Sequence, residues 1–176
     1  MQASAFLPRL QRQFSLALVC FLFALLGACA SAPPKPTLGQ RQVETLTHLG
    51  FSKTDDGWLL VLPDRISFEF GKDDLKPEFS KAIADFASQL LAVDIRQLRV
   101  DGYTDNVGAR DYNLGLSQRR ANIVADTFVA NGFATKDIER KGLGPDHPAA
   151  DNGTPDGRAK NRRVELIVAS STLATP

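Results

Sequence analysis

Cysteine is almost absent from this 176-residue chain: Cys20 and Cys29 are the only two, and both lie in the first 30 residues. The rest of the sequence therefore holds no disulfide and no thiol nucleophile. Histidine is equally scarce, and His48 and His147 stand far apart without the spacing of metal ligands, so neither a metal nor a cofactor is expected. Charge of either sign is not in excess. Lys and Arg number 21 against 20 Asp and Glu, a formal net charge of +1, and no basic stripe with interleaved aromatics marks a nucleic-acid surface. No apolar run reaches the roughly 20 residues of a membrane-spanning helix. Ser117 has no nucleophile motif around it, and no acid and base are paired in the sequence, so no catalytic residue is assigned.

What is present begins with an unusual start. Arg9 and Arg12 precede an uncharged apolar run from Phe14 to Leu26, and small residues follow. That order is the pattern of an export signal. Leu26-Gly27-Ala28-Cys29 is similar to the bacterial lipobox. The resemblance implies that residues 1–28 are a signal peptide and that Cys29 becomes the first mature residue, carrying acyl groups such as palmitate. Ala30 in the next position implies sorting to the outer membrane. The alternative is an ordinary signal with an incidental cysteine. Several acyl chains together anchor stably where one does not. Loss of residues 1–28 removes two of the basic side chains and no acidic one, so the mature surface is close to neutral.

Residues 29–37 read as the lipidated cysteine and a linker stiffened by Pro33, Pro34 and Pro36, with a reach of about 25 Å. Val43, Leu46 and Leu49 recur at helical spacing, so a short helix is expected over 38–49. Asp55-Asp56-Gly57 reads as a turn before the apolar, strand-length run Trp58 to Leu62. Ile66, Phe68 and Phe70 alternate with Ser67 and Glu69, which predicts a half-buried strand. Pro77 suits the first turn of a helix whose inner face is Phe79, Ile83, Phe86 and Leu90. A strand through Leu98 and Val100 ends at Gly102, and a long helix runs from about Asp111 to Asn131, where Asn131-Gly132 stops it. A short strand over Ile138 to Gly142, a polar loop from Pro145 to Arg158 and a closing strand from Arg163 to Val168 complete the chain. Strands alternating with two long helices predict an α+β or α/β sandwich, helices packed on a sheet.

Within the long helix, Leu116, Ile123, Val124 and Phe128 form an apolar stripe, and Arg120 projects into its middle. A guanidinium among core residues requires an anionic partner. Asp105, in the loop just past a strand end, is the nearest candidate. Strand ends feeding helices are where α/β-type folds place ligand sites. A carboxylate and a guanidinium facing one cleft suit a zwitterion, with Asp105 on the ammonium and Arg120 on the carboxylate. A plain structural ion pair fits the same residues equally well.

Gly102-Tyr103-Thr104-Asp105-Asn106-Val107-Gly108, Tyr112-Asn113 and Leu116-Ser117-Gln118-Arg119-Arg120-Ala121 resemble the core of the OmpA-like peptidoglycan-binding domain. Gly142-Leu143-Gly144 and Gly157-Arg158-Ala159-Lys160-Asn161-Arg162-Arg163-Val164-Glu165 resemble its closing motifs, and Phe68-Glu69-Phe70 with Leu75-Lys76-Pro77 its opening strand and helix. The resemblance implies an α+β fold over 63–170, a βαβαβ-type sandwich with helices on one mixed sheet, followed by a tail over 171–176. It implies binding of the diaminopimelate residue of peptidoglycan stem peptides. The family's ammonium-binding Asp falls on Asp105 and its carboxylate-binding Arg on Arg120. Supporting contacts fall on Phe70, Gly71, Thr104, Asn113 and Leu116. Two positions depart from the family: Tyr103 stands where His is usual, and Gly71 where Asp or Asn is common.

Upstream, Leu49-Gly50-Phe51, Gly57-Trp58 and Leu62-Pro63-Asp64 resemble the YfiB lipoproteins. That resemblance implies capture of a periplasmic repressor, YfiR, release of an inner-membrane diguanylate cyclase, and a rise in cyclic-di-GMP. Residues 38–62 are then a possible partner-binding segment, with Leu46, Phe51 and Trp58 either a partner surface or a cover for the domain's own core. The rival reading is a structural tether of the Pal type. A peptidoglycan hydrolase is disfavoured for want of catalytic groups.

Overall fold

A computed structural model describes residues 35–64 and 75–175. Cys29, Phe70, Gly71 and the strand expected over Ile66 to Phe70 lie outside them. Helix α1 (Leu38–His48) opens with a capping box in which Thr37 and Gln40 exchange side-chain-to-backbone hydrogen bonds at 3.2 and 2.9 Å. Strands β1 (Ser52–Thr54) and β2 (Gly57–Pro63) then form a hairpin across the expected Asp55–Asp56 turn. Helix α2 (Pro77–Ala92) begins on its proline, and β3 (Leu98–Tyr103), α3 (Arg110–Ala130) and β4 (Ile138–Gly144) follow. A short helix, α4 (Pro155–Asn161), leads into β5 (Arg163–Ala169).

The strands form one mixed sheet in the order β1-β2-β5-β3-β4, antiparallel except for the β3–β4 pair. Alternation along the strands sends Trp58, Leu62, Val100, Val164, Leu166 and Val168 into a core shared with Leu46, Ile83, Leu90, Val124 and Phe128 from the helices. The opposite sheet face carries Leu59, Val61, Ile167, Arg99, Asp101 and Glu165. Pro36–Pro176 is a compact unit by itself.

Three sequence expectations change. The polar stretch expected to be loop throughout turns helical at Pro155, because Thr154 accepts the Gly157 N–H at 3.0 Å as an N-cap. β1 has three exposed residues and no hydrophobic alternation, so only its pairing with β2 defines it. The inward face of α3 is Asn113, Ser117, Arg120, Ala121, Val124, Ala125 and Phe128, with Leu116 and Ile123 at half-buried flanks. The reason is close approach. A Cβ on Gly102 would lie 2.2 Å from the Ser117 carbonyl oxygen, and one on Gly142 would lie 2.4 Å from the Gln118 nitrogen. The helix rests directly on two glycines, and only small or slender groups fit beneath it. Ser117 Oγ accepts the Gly144 N–H at 2.9 Å and Gln118 Oε1 accepts the Gly142 N–H at 2.8 Å, which fasten β4 to the helix.

Of the two roles open for Leu46, Phe51 and Trp58, a partner surface or a cover for the domain's own core, this fold shows the second. Leu46, Phe51 and Trp58 are 0%, 4% and 7% exposed and belong to the core, so in this fold their side chains offer nothing to a partner. Their apolar area is already removed from water by α2 and the sheet. Gln42, also buried, donates to the Val93 carbonyl at 3.0 Å and accepts the Ala174 N–H at 2.8 Å. It clasps α1 to the end of α2 and to the C-terminal tail.

Candidate ligand-binding site

The sheet register assembles the site. Pro63 pairs with Arg163, and Arg163 pairs with Tyr103, so three strands end or begin in one row. The residues one step beyond that row are Asp64, Arg162 and Thr104-Asp105. Arg120 reaches the same place from α3. Arg120 Nη2 lies 2.7 Å from Asp64 Oδ1, Arg162 Nε 3.6 Å from Asp64 Oδ2, and Arg162 Nη1 2.7 Å from Asp105 Oδ2. Asp105 and Arg120 thus belong to one cluster, joined through Asp64 and Arg162. Two members, Asp64 and Arg162, were not singled out as site residues from the sequence. The available signal was positional: both stand at strand termini that an antiparallel β2–β5 pairing brings beside the loop after β3.

Each side chain is held from behind. Asn161 is fully buried. It accepts the N–H groups of Ala149 and Ala150 at 2.8 and 2.9 Å and donates to Ala150 O and Asn152 Oδ1, both at 2.8 Å. That fixed point starts β5, and strand alternation then sends Arg162 and Arg163 to opposite faces. Asp105 Oδ1 accepts the Val107 N–H at 3.1 Å, leaving Oδ2 for Arg162. Thr104 Oγ1 donates to the Asp105 carbonyl at 2.8 Å, and its N–H donates to Gly144 O at 2.9 Å. Asn113 Nδ2 donates to the carbonyls of Val107 at 3.0 Å and Asp105 at 3.4 Å. Thr104 and Asn113, both expected as supporting residues, set the backbone of the loop that presents Asp105. Leu116 is half-buried one helical turn before Arg120.

Burial raises the Asp64 carboxyl pKa, and the guanidinium groups of Arg120 and Arg162 oppose that rise. Asp64 Oδ1 is buried and within ion-pair distance of Arg120, but it accepts no hydrogen bond among the described residues. Among the described residues, these ion pairs set two carboxylates against two guanidiniums at the end of the sheet, where a small zwitterion can engage both signs.

Tyr103 lies on the sheet face opposite the main core. Its ring stacks 3.8 Å from the Arg163 guanidinium carbon. Burial, reinforced by Glu165 and Asp101, pushes its pKa well above the ordinary tyrosine value. Arg163 and Glu165 pair at 2.7 Å on that same face, and His147 offers its backbone carbonyl to Arg163 at 3.3 Å. Among the described residues, no three His, Cys, Asp or Glu side chains gather as for a metal ion, and no helix is long and apolar enough to cross a membrane.

The pattern of the OmpA family matches residues 67–162. The outer-membrane lipoprotein YfiB of Pseudomonas aeruginosa is 40% identical over 157 residues, covering 89% of this chain and 93% of that protein. The peptidoglycan-binding protein ArfA of Mycobacterium bovis is 46% identical over 101 residues, 56% of this chain and 31% of ArfA. The solved structure of the peptidoglycan-associated lipoprotein from Burkholderia pseudomallei superposes with a TM-score of 0.52 at 27% identity, over 58% of this chain and 86% of that one. With its two-layer sandwich, its loop and helix bearing Asp105 and Arg120, and a relative matched almost end to end, the chain belongs to the OmpA family and, within it, to the lipoproteins of the YfiB type.

Proposed function

We propose that this chain is an outer-membrane lipoprotein, anchored through an acylated Cys29, whose periplasmic domain binds the diaminopimelate residue of a peptidoglycan stem peptide. Asp105 takes the ligand's ammonium and Arg120 its carboxylate. Thr104 and Asn113 shape the Asp105 loop, while Leu116, Phe70 and Gly71 border the ligand. The observation that carries this reading is the convergence of buried Asp105 and Arg120 in one ion-paired cluster at the sheet's end. Relatives named for outer-membrane lipoprotein character and for peptidoglycan binding support it. On this reading the domain is a binding module and not an enzyme. The test is calorimetry of the unit Pro36–Pro176 with a diaminopimelate-containing stem tripeptide. A charge-assisted hydrogen bond contributes roughly 1.5–3 kcal/mol, so Asp105→Ala and Arg120→Ala should each weaken binding about tenfold or more. Absence of wild-type binding would overturn the reading.

The domain's second task, on this proposal, is sequestration of a YfiR-type repressor, which frees a diguanylate cyclase and raises cyclic-di-GMP. The near end-to-end match to YfiB supports it. The burial of Leu46, Phe51 and Trp58 favours the rival reading, a Pal-type structural tether, for the chain as folded. Signalling through this segment therefore requires α1 to leave the core and break the Gln42 clasp. Leu46→Pro disrupts the last turn of α1 and removes a fully buried core side chain, since proline inside a helix costs about 3 kcal/mol. It should raise recovery of a periplasmic repressor in a pull-down from the native host and change cyclic-di-GMP. An unchanged pull-down and an unchanged cyclic-di-GMP level would leave the tether.

A further inference from the structure

Arg120 is the group assigned to a ligand carboxylate, yet a carboxylate already stands against it. Asp64 Oδ1 lies 2.7 Å from Arg120 Nη2, while the Asp64 backbone N–H donates to the Arg162 carbonyl at 3.1 Å and its Oδ2 lies 3.6 Å from Arg162 Nε. Two observations separate this contact from a finished structural pair. Asp64 Oδ1 accepts no hydrogen bond among the described residues, although it is buried. A ligand carboxylate free to align with the guanidinium plane can form the two parallel hydrogen bonds that this one does not. Secondly, Asp64 retains some solvent contact, with a side chain 18% exposed against 7% for Arg120. It sits on the outer side of the pair, where a carboxylate can turn outward into water.

We infer that Asp64 is a built-in stand-in for the ligand carboxylate: it pairs with Arg120 until a stem peptide displaces it. This rests on the reading of Arg120 as the carboxylate-binding group. A buried guanidinium left without an anion is strongly destabilising, so an internal anion lets the fold keep Arg120 in place before ligand arrives. The same anion competes with the ligand and lowers its affinity by the free energy of the exchange. Burial raises the Asp64 pKa, which fits a carboxylate held where water would suit it better. Asp64 immediately follows the last rung of β2, Pro63↔Arg163. Displacement therefore loosens the end of the strand that α1 and β1 lead into, and binding at the sheet's end is felt by the segment containing Trp58.

The test uses the unit Pro36–Pro176 and a diaminopimelate-containing stem tripeptide. Asp64→Asn keeps the shape and removes the competing charge. It should tighten Kd by about tenfold, the equivalent of roughly 1.4 kcal/mol, while lowering the melting temperature of the unliganded protein. In wild type, the Asp64 carboxyl carbon resonance should shift at saturating tripeptide, and the Asp64 amide should exchange its hydrogen faster. Wild-type binding with an Asp64→Asn variant that binds equally or more weakly, and with an Asp64 resonance that stays put, would overturn the inference alone. Failure of folded wild type to bind would overturn the ligand assignment and the inference with it. Should Asp64→Asn not fold, the wild-type resonance and exchange measurements decide.

Discussion

At the end of the sheet, Asp64, Asp105, Arg120 and Arg162 come from the end of β2, the loop after β3, the middle of α3 and the entry to β5. On the sheet face opposite the main core, Arg99–Asp101 and Arg163–Glu165 are pairs two residues apart on their own strands. Both regions bury charge. The second does so locally: residues i and i+2 of a strand share a face, so those pairs form wherever the strand forms. Cross-strand register adds Asp101 beside Glu165 and Tyr103 beside Arg163, and the stacking of Arg163 on Tyr103 closes the row. The first region exists only once four distant segments have met. Pairs made of adjacent residues stabilise a surface. Pairs assembled across the fold, at strand ends and beside a buried guanidinium, make a site.

Breaking the long-range cluster should have the largest effect. Arg120→Met removes the 2.7 Å partner of Asp64 and leaves the 3.6 Å Arg162 contact, and removing one partner of a buried pair costs about 3–5 kcal/mol. Urea denaturation should show that loss, and calorimetry should show loss of stem-peptide binding in the folded fraction. Asp105→Ala should separate the two roles. Its partner Arg162 is partly exposed and can be rehydrated, so stability should fall by only about 1 kcal/mol while binding weakens about tenfold or more. The local row should behave in the opposite sense. Arg163→Ala removes the Glu165 pair and the Tyr103 stacking, for an expected loss of about 1–2 kcal/mol with Kd for the stem peptide unchanged. A large change in Kd would erase the distinction between the two regions.

The smallest effect is pH-dependent. Burial raises the carboxyl pKa of Asp64 and of Asp101 above the ordinary 3.8. At these positions the folded chain holds its protons to higher pH than the unfolded chain does. Their contribution to stability therefore falls as pH rises from about 3.8 through the raised folded values, and it recovers as pH falls back through that window. Asp101 Oδ1 is buried without a hydrogen-bond partner among the described residues, so Asp101→Asn should flatten this slope and raise stability at neutral pH by at most about 1 kcal/mol. Thermal unfolding of both proteins between pH 4 and pH 7 checks it.

Some of this was legible in the amino-acid order. The period of Phe79, Ile83, Phe86 and Leu90 and the alternation of Val164, Leu166 and Val168 predict their elements, because each follows from which side chains must leave water. Arg120 stood out because a lone guanidinium on an inward helix face demands an anion. The inward face of α3 was less legible. Its contact with Gly102 and Gly142 selects Ser117, Ala121 and Ala125, and small residues carry little hydrophobic signal. β1 and α4 were illegible for a related reason, as one has no buried side chain and the other buries only Gly157 and Asn161.

Leu46, Phe51 and Trp58 mark the boundary. Their apolar character was plain, but a core and a partner surface need the same residues, and only packing against α2 and the sheet decides between them. The sequence by itself determined the export-signal pattern, the strand and helix periods, and that Arg120 must meet a carboxylate, since these depend on neighbours within one turn or one strand. The tertiary structure decided which carboxylate that is. Asp64 lies 56 positions from Arg120, and nothing local joins them. The β2–β5–β3 register brings their segments together, and the two glycines under α3 set the depth at which the guanidinium arrives.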